Sequence, residues 1–376
     1  MPSLDFYLNE LIKHNPTDNP GLVSDIYFQV NSVIKINLRQ EWVPAGTNGF
    51  FEAWKNKIIS REEMDGLIKN CQDLNSEKEN LMKDLNIDIK NLKDFAISWP
   101  QKGEAIMRIR AHIATERNGK TLCLRILPPK PIEFKNLKLI KQVVDMVNNP
   151  YGLILVSGVT GGGKSTTIAS MVDRYCRGNN GHVKTLEAPI EHIFKFEDKL
   201  ITQHWVGFHT PTWADGIQDA LRDKVNVIVI GEIREIDALK AAVQAANSGQ
   251  LVIASTHHTY ASHVISYLKA MYPTNEQEHA EKVLTEIIIG IVCQRLLPDK
   301  TDKGVIPCYE VLVNDSNMKK IARKDGLVGI EKAMQTHDQC VPWNTCLEKL
   351  CERGLIDQEI YEKYLRKDGT ENSVKR

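Results

Sequence analysis

A glycine-rich stretch between an apolar run and a helical pattern constrains the fold of this 376-residue chain more than any other feature. Residues 153–157 read Leu-Ile-Leu-Val-Ser, and residues 158–166 fit the pattern GxxxxGK[ST]. Glycines let the backbone curl so that its N–H groups face phosphate oxygens, and the dipole of a following helix adds to that attraction. The stretch therefore predicts a buried strand, a phosphate-binding loop and a helix in succession, rather than a chance glycine-rich turn.

This loop predicts a site for a nucleoside triphosphate and Mg²⁺. Lys164 is expected to reach the β- and γ-phosphates, and the hydroxyl of Ser165 is expected to ligate Mg²⁺. The predicted nucleotide-binding residues are consecutive: Gly158, Val159, Thr160, Gly161, Gly162, Gly163, Lys164, Ser165 and Thr166.

A second apolar run ends in an acid. Residues 227–230 read Val-Ile-Val-Ile, and Gly231 and Glu232 follow. A strand at this place would deliver Glu232 to the rim of the sheet beside the phosphates, where a carboxylate can hold the magnesium shell or orient water. Glu232 is therefore both a candidate catalytic residue and a candidate metal ligand.

Two carboxylates flank a proline between these segments. Glu187 and Glu191 lie four residues apart, and Pro189 between them predicts a local turn. Glu191 is the candidate to accept a proton from an attacking water molecule. A surface turn that happens to carry acids remains the alternative for this segment taken alone.

A pair of histidines follows a third apolar run. Residues 251–255 predict a strand, and His257 and His258 come directly after Thr256. A side chain at the carboxyl end of a strand in a parallel sheet points towards the crevice where ligands bind. His257 is the candidate to sense the γ-phosphate or to bridge to the acids. Neighbours in extended chain point oppositely, so the pair does not predict a metal site.

Strands alternating with helices after residue 136 indicate a mostly parallel α/β sheet. The first hundred residues predict short strands and helices of an α+β domain, with a hairpin turn at residues 117–120. Three prolines at 128, 129 and 131 predict a linker. We therefore expect an N-terminal domain at 1–127, a linker at 128–135, an ATPase core at 136–313 and a helical C-terminal subdomain with a tail at 314–376.

Composition excludes several classes of protein. Lys plus Arg and Asp plus Glu both number 48, so net charge gives no pull towards nucleic acid or anionic membrane. Eight cysteines without a CxxC pair predict reduced thiols rather than a zinc ribbon or disulfide framework. No secretory leader and no apolar run long enough to span a bilayer are evident. We expect a cytoplasmic protein without direct membrane insertion.

The four segments, in this order and spacing, resemble the motifs of the secretion ATPase superfamily, which powers type II secretion, type IV pili and type IV secretion. They read GVTGGGKSTT, TLEAPIEH, VIVIGEIRE and GQLVIASTHH. The later segments IVCQRLLP and PCYEVLVND are also similar to that family. The resemblance favours the pilus-retraction-like branch, including its type IVb secretion and conjugation relatives.

The resemblance implies a fold and an assembly. An N-terminal sensor-like (PAS-like) α+β domain would precede a RecA-like P-loop ATPase domain with a helical C-terminal subdomain. Subunits would form a homo-hexamer, docked by partner proteins on the cytoplasmic face of the inner membrane. Arginines of the N-terminal domain would contact nucleotide of their own or a neighbouring subunit, and the matching residues are Arg108, Arg110, Arg117 and Arg125. Alternation along a strand puts Arg108 and Arg110 on one face, which favours a shared anionic partner.

Several functions stay open. The first is a hexameric ATPase motor of a type IV secretion, conjugation or pilus machine, with a pilus-retraction ATPase proper as an alternative. Ala188 replaces the usual aspartate of the acidic segment, and Gln250 replaces the usual first histidine of the histidine segment. These departures keep open a slow nucleotide-dependent regulatory switch. A nucleic-acid-translocating RecA-like ATPase is disfavoured by net neutrality and by the lack of a basic stripe interleaved with aromatic residues.

Overall fold

The chain folds into two compact units. The computed structural model describes residues 4–14, 23–38, 41–47, 51–74, 93–99, 107–127, 141–194, 198–300 and 304–366. The first unit comprises Met1–Pro131 with Pro189–Ile193 and Lys303–Val305, and the second comprises Ile132–Ala188, Phe194–Asp302 and Ile306–Arg376. The predicted linker at 128–135 lies outside the described residues.

The first unit contains a six-stranded antiparallel sheet in the order β3-β2-β1-β6-β5-β4. Alternating apolar residues bury one face, on which Tyr7, Phe28 and Trp54 pack edge to face at 5.1–5.2 Å between ring centroids. The predicted β5–β6 hairpin is confirmed, with Glu116 paired to Gly119. The strands are β1 Val23–Gln29, β2 Lys35–Leu38, β3 Glu41–Pro44, β4 Asp94–Trp99, β5 Met107–Glu116 and β6 Gly119–Leu127, and the helices are Leu4–His14 and Arg61–Leu74.

The second unit contains a seven-stranded sheet in the order β13-β12-β7-β11-β10-β8-β9, and its neighbours from β12 to β9 are parallel. Apolar clusters cover both faces, which is why β7, β10 and β11 read as unbroken apolar runs. The strands are β7 Gly152–Ser157, β8 Val183–Glu187, β9 Ile201–Trp205, β10 Val227–Ile230, β11 Leu251–Ser255, β12 Ile288–Pro298 and β13 Val305–Val313. The helix Lys141–Val147 precedes β7, and the helices between the strands are Lys164–Gly178, Trp213–Arg222, Ile236–Asn247, Ala261–Ala270 and Gln277–Ile287.

Helices follow the last strand, as predicted. They are Ser316–Met334, Trp343–Glu352 and Gln358–Tyr364. Gly326 (φ 62°, ψ −155°) interrupts the first of them with a non-helical backbone conformation. A separate subdomain at 314–376 stays a prediction. Across the described part of the chain, no helix combines the length and the apolar character that crossing a bilayer requires.

Candidate active site

The phosphate-binding loop leaves the carboxyl end of β7 in the second unit. Register places Val156 of β7 beside Ser255 of β11, while Ser157 lies beside Cys293 of β12. Because β7, β10 and β11 are parallel, the residues that follow them emerge at one edge of the sheet. This edge brings together Lys164, Glu232 and His257, although Lys164 and His257 are 93 positions apart along the chain.

Lys164 begins the helix Lys164–Gly178 and is held by its own loop. Its Nζ donates to the carbonyl oxygens of Gly158 at 2.8 Å and Val159 at 3.1 Å, and lies 3.4 Å from Nδ1 of His257. Ser165 is exposed in the first turn of the same helix. The ammonium group and the helix N-terminus therefore offer positive charge at one place, as binding of a polyphosphate requires.

Glu232 joins the histidine to an arginine. Its carboxylate contacts Nε2 of His257, and Oε1 lies 2.6 Å from Nε of Arg234. Burial lowers the pKa of His257, and the nearby Lys164 ammonium lowers it further against the opposing effect of Glu232. A neutral imidazole thus links Lys164 to Glu232. Arg234 was not predicted, although it lies only two residues after the acid.

Ser157 fixes the segment that carries His257. Its Oγ donates to the carbonyl oxygen of His258 at 2.6 Å and accepts from the N–H of His258 and from Oγ1 of Thr256, both at 2.8 Å. The hydroxyl thereby uses its donor and both lone pairs. His258 turns away and packs against Tyr267 at 4.4 Å between centroids, so the two histidines diverge as expected.

The side chain of Gln294 on β12 hydrogen-bonds to the phosphate-binding loop and to the helix after it. The sequence did not predict this residue as part of the site. Its Oε1 accepts from Oγ1 of Thr167 at 2.8 Å, and its Nε2 donates to the carbonyl oxygen of Gly162 at 2.6 Å. The side chain is 3% exposed. The carbonyl of Gln294 also lies against Gly158, where an added Cβ would approach its oxygen to 2.2 Å. The loop conformation therefore depends on β12 as well as on its own glycines.

Replacing Gln294 by Leu is expected to weaken nucleotide binding up to about 30-fold, because two buried hydrogen bonds worth about 1 kcal/mol each are lost. The dissociation constant of a fluorescent ATP analogue measures the effect. Gln339→Leu is the matched control, since Gln339 is exposed in the same unit. An unchanged dissociation constant for Gln294→Leu would contradict a supporting role.

Glu191 lies in the first unit rather than at a strand end of the second, four residues beyond β8. Its Oε1 accepts from a guanidinium nitrogen of Arg110 at 3.1 Å. Arg108 donates to the carbonyl oxygens of Ile190 at 3.1 Å and Glu191 at 3.3 Å, and to Oγ of Ser98 at 2.7 Å. Arg108 and Arg110 therefore bind the same acidic segment, Arg108 through backbone carbonyls and Arg110 through the Glu191 carboxylate.

The remaining two predicted arginines differ from this pair. Nε of Arg125 donates to Oδ1 of Asp25 at 2.8 Å. Burial opposes the charge on Arg125, but the Asp25 carboxylate outweighs it and raises the pKa of the guanidinium. Arg117 is exposed at the β5–β6 turn. The four arginines thus occupy three environments: against the acidic segment, against Asp25, and at an exposed turn.

The two candidate metal ligands, Ser165 and Glu232, both offer oxygen atoms. No group of three or more His, Cys, Asp and Glu side chains within the described ranges could hold a metal ion. The hydroxyl of Ser165 and the carboxylate of Glu232 fit Mg²⁺, which takes one or two protein oxygens and completes its shell with water and phosphate oxygens. The donor set suits a magnesium ion that arrives with a nucleotide.

The family model described as "Type II/IV secretion system protein" matches residues 81–360. Uncharacterized protein YggR of Escherichia coli is 31% identical over 246 residues, which cover 65% of this chain and 74% of YggR. The Type IV pilus retractation ATPase PilT of Pseudomonas aeruginosa is 28% identical over 271 residues, covering 71% and 76%. A crystal structure of the pilus retraction motor PilT with bound ADP aligns over 98% of both chains with a TM-score of 0.75 and 29% identity.

Proposed function

The chain belongs to the type II/IV secretion system protein family, and on that premise we propose that it is an ATPase motor of a type IV pilus or type IV secretion machine. ATP hydrolysis to ADP and phosphate is the reaction. The observation that carries the proposal is a series of contacts. Lys164 of the phosphate-binding loop lies beside His257, and His257 contacts the carboxylate of Glu232.

Each residue of this site has a defined task. The backbone of residues 158–166 and the Lys164 ammonium bind the β- and γ-phosphates. Ser165 and Glu232 would hold Mg²⁺, which would neutralise charge on the phosphates. Water attacks the γ-phosphorus, the bond to the bridging β-phosphate oxygen breaks, and Glu191 accepts the proton of the water. His257 is neutral and lies between Lys164 and Glu232. It senses the γ-phosphate through Lys164, which contacts the imidazole and binds the phosphate.

The N-terminal arginines act on the acid and on the nucleotide. Arg110 orients the Glu191 carboxylate through an ion pair, and Arg108 fixes the backbone on which that carboxylate is carried. We assign Arg117 and Arg125 to nucleotide of the same or a neighbouring subunit. A guanidinium suits this task because its fixed fork pairs with two phosphate oxygens.

The assembly proposed is a homo-hexamer in the cytoplasm, associated peripherally with the inner membrane through platform or secretion-complex proteins. Domain motion driven by hydrolysis would act on those partners. No nucleic-acid partner is proposed. Support comes from the family and from the PilT relatives, whose names place them in type IV pilus machines.

Retraction of a pilus proper is the nearest alternative, and the matches to PilT favour it over a conjugation role. A slow regulatory switch is the alternative from another class. The retained acid Glu232 and its contact with His257 argue against it, while Ala188 and Gln250 still distinguish this chain from the usual family pattern.

Turnover measured against protein concentration tests the motor. We expect ATPase activity that rises with hexamer formation in mass photometry, disappears with a magnesium chelator and returns with added Mg²⁺. Tight nucleotide binding without turnover at any concentration would support the switch instead. Stimulation by single-stranded DNA would overturn the motor assignment in favour of a nucleic-acid translocase.

A further inference from the structure

Arg366, the last residue that the structure describes, reaches from the C-terminal helices to the segment that carries His257. One guanidinium nitrogen contacts Oε2 of Glu310 and another contacts the carbonyl oxygen of Thr259. Its guanidinium carbon lies 3.8 Å from the ring centroid of Tyr260 and 4.4 Å from that of Trp343. The side chain is thus bound by two oxygen acceptors and enclosed by two aromatic rings.

The backbone of Arg366 is fixed as firmly as its side chain. Its N–H donates to Oδ1 of Asn344 at 3.0 Å, and its carbonyl accepts from Nδ2 of the same residue at 2.7 Å. Nε1 of Trp343 donates to the carbonyl oxygen of Tyr364 at 2.9 Å. The helix Trp343–Glu352 therefore sets the position from which the guanidinium acts.

Glu310 connects this arginine to the helix that follows the histidines. Its Oε1 accepts from the N–H of Ala261 at 2.6 Å, at the start of the helix Ala261–Ala270. Glu310 lies on β13 and is 7% exposed. Burial raises the pKa of this carboxyl, and the Arg366 guanidinium opposes that rise. Without Arg366, the buried carboxylate would lose its cation and its strength as an acceptor.

These contacts hold both ends of the histidine segment. Ser157 holds Thr256 and His258 from the phosphate-binding side, and Arg366 with Glu310 holds Thr259 and Ala261 from the C-terminal side. We propose that Arg366 is a positioning residue for ATP hydrolysis, which fixes His257 between Lys164 and Glu232 through the backbone of Thr259. This inference rests on the role of His257 in the proposed function.

A double-mutant cycle tests it. Arg366→Ala is expected to lower kcat about tenfold, with the dissociation constant for ADP changed less than twofold, because the nucleotide-binding loop keeps its own contacts. In the background of His257→Ala, Arg366→Ala should lower kcat no further, since residues that act as a unit are not additive. Arg366→Lys should recover part of the loss, because it keeps the charge without the planar fork.

Arg353→Ala is the matched control, since Arg353 is an exposed arginine at the end of the helix Trp343–Glu352. A full tenfold loss from Arg366→Ala in the His257→Ala background, or no loss in the wild type, would overturn the positioning role. A wild-type kcat for His257→Ala alone would instead remove His257 from the proposed function, so the two failures are distinct.

Hydrogen–deuterium exchange gives a readout independent of turnover. Peptides that cover residues 256–261 should exchange about tenfold faster in Arg366→Ala, while Arg353→Ala leaves them unchanged. Thermal unfolding of each variant identifies any general loss of structure. Unchanged exchange at 256–261 in a folded Arg366→Ala protein would show that Arg366 does not hold the segment.

Discussion

Replacing Glu232 by Gln is expected to reduce kcat for ATP hydrolysis by about 100-fold or more, the size typical of losing one preorganised electrostatic group of an active site. The amide keeps the volume of the side chain but removes the negative charge that faces Arg234 and the imidazole of His257. It also removes a carboxylate oxygen from the proposed magnesium shell. Steady-state turnover at saturating ATP measures the change in kcat.

Nucleotide binding should survive this substitution, since Lys164 and the loop backbone stay in place. We expect the dissociation constant for ATP to stay within about threefold of the wild type, which corresponds to less than 1 kcal/mol. Glu235→Gln is the matched control, because Glu235 is an exposed acid three residues away. A Glu232→Gln protein that keeps more than a tenth of wild-type kcat would contradict a direct role in hydrolysis.

Replacing Gly158 by Ala is expected to weaken nucleotide binding about 100-fold or more. Gly158 has φ +139°, and an added Cβ would lie 2.2 Å from the carbonyl oxygen of Gln294. The loop would have to move away from β12, and its N–H groups would no longer converge on the phosphates. Losing one or two charge-assisted hydrogen bonds of about 1.5–3 kcal/mol each accounts for the expected decrease.

Two controls separate the clash from backbone strain. Gly249 also has positive φ, +100°, but nothing lies within 4 Å of an added Cβ, so Gly249→Ala adds strain without a clash and outside the loop. Gly161→Ala adds strain of the same kind within the loop, again without a clash. Titration with a fluorescent nucleotide measures all three. Equal losses for Gly158→Ala and Gly161→Ala would show that conformation, not contact with Gln294, decides the effect.

The central strands of the second unit were predictable because both of their faces are buried. β7, β10 and β11 lie between two apolar clusters, which demands apolar residues at every position. β8 and β9 at the edge of the sheet were not predicted, since their sequences mix polar and apolar residues. Lys184 of β8 shows why: it is 2% exposed, yet its ammonium pairs with the exposed carboxylate of Asp223. Burial of such a residue depends on a partner 39 positions away.

The candidate site likewise contains residues that the sequence predicts and residues that only the structure reveals. The loop, Glu232 and His257 follow from motifs, because parallel strands bring their carboxyl ends to one edge whatever the details of packing. Gln294 and Arg366 act through lateral contacts between segments far apart in the chain. No local pattern encodes such contacts. The alternation of Arg108 and Arg110 predicts that they share one partner, but only the structure shows that both bind the segment carrying Glu191.

The grouping of residues 189–193 with the first unit matters for anyone who exchanges parts between relatives. A chimaera that takes only residues 1–131 from another member would import new arginines while keeping the old acidic segment as their acceptor. Arg108 binds that segment through backbone carbonyls, so its contacts require a particular backbone conformation rather than particular side chains. Arg110 binds the carboxylate of Glu191, so its contact requires an acidic residue at position 191. A graft that keeps the first unit intact therefore carries three pieces of chain, residues 1–131, 189–193 and 303–305.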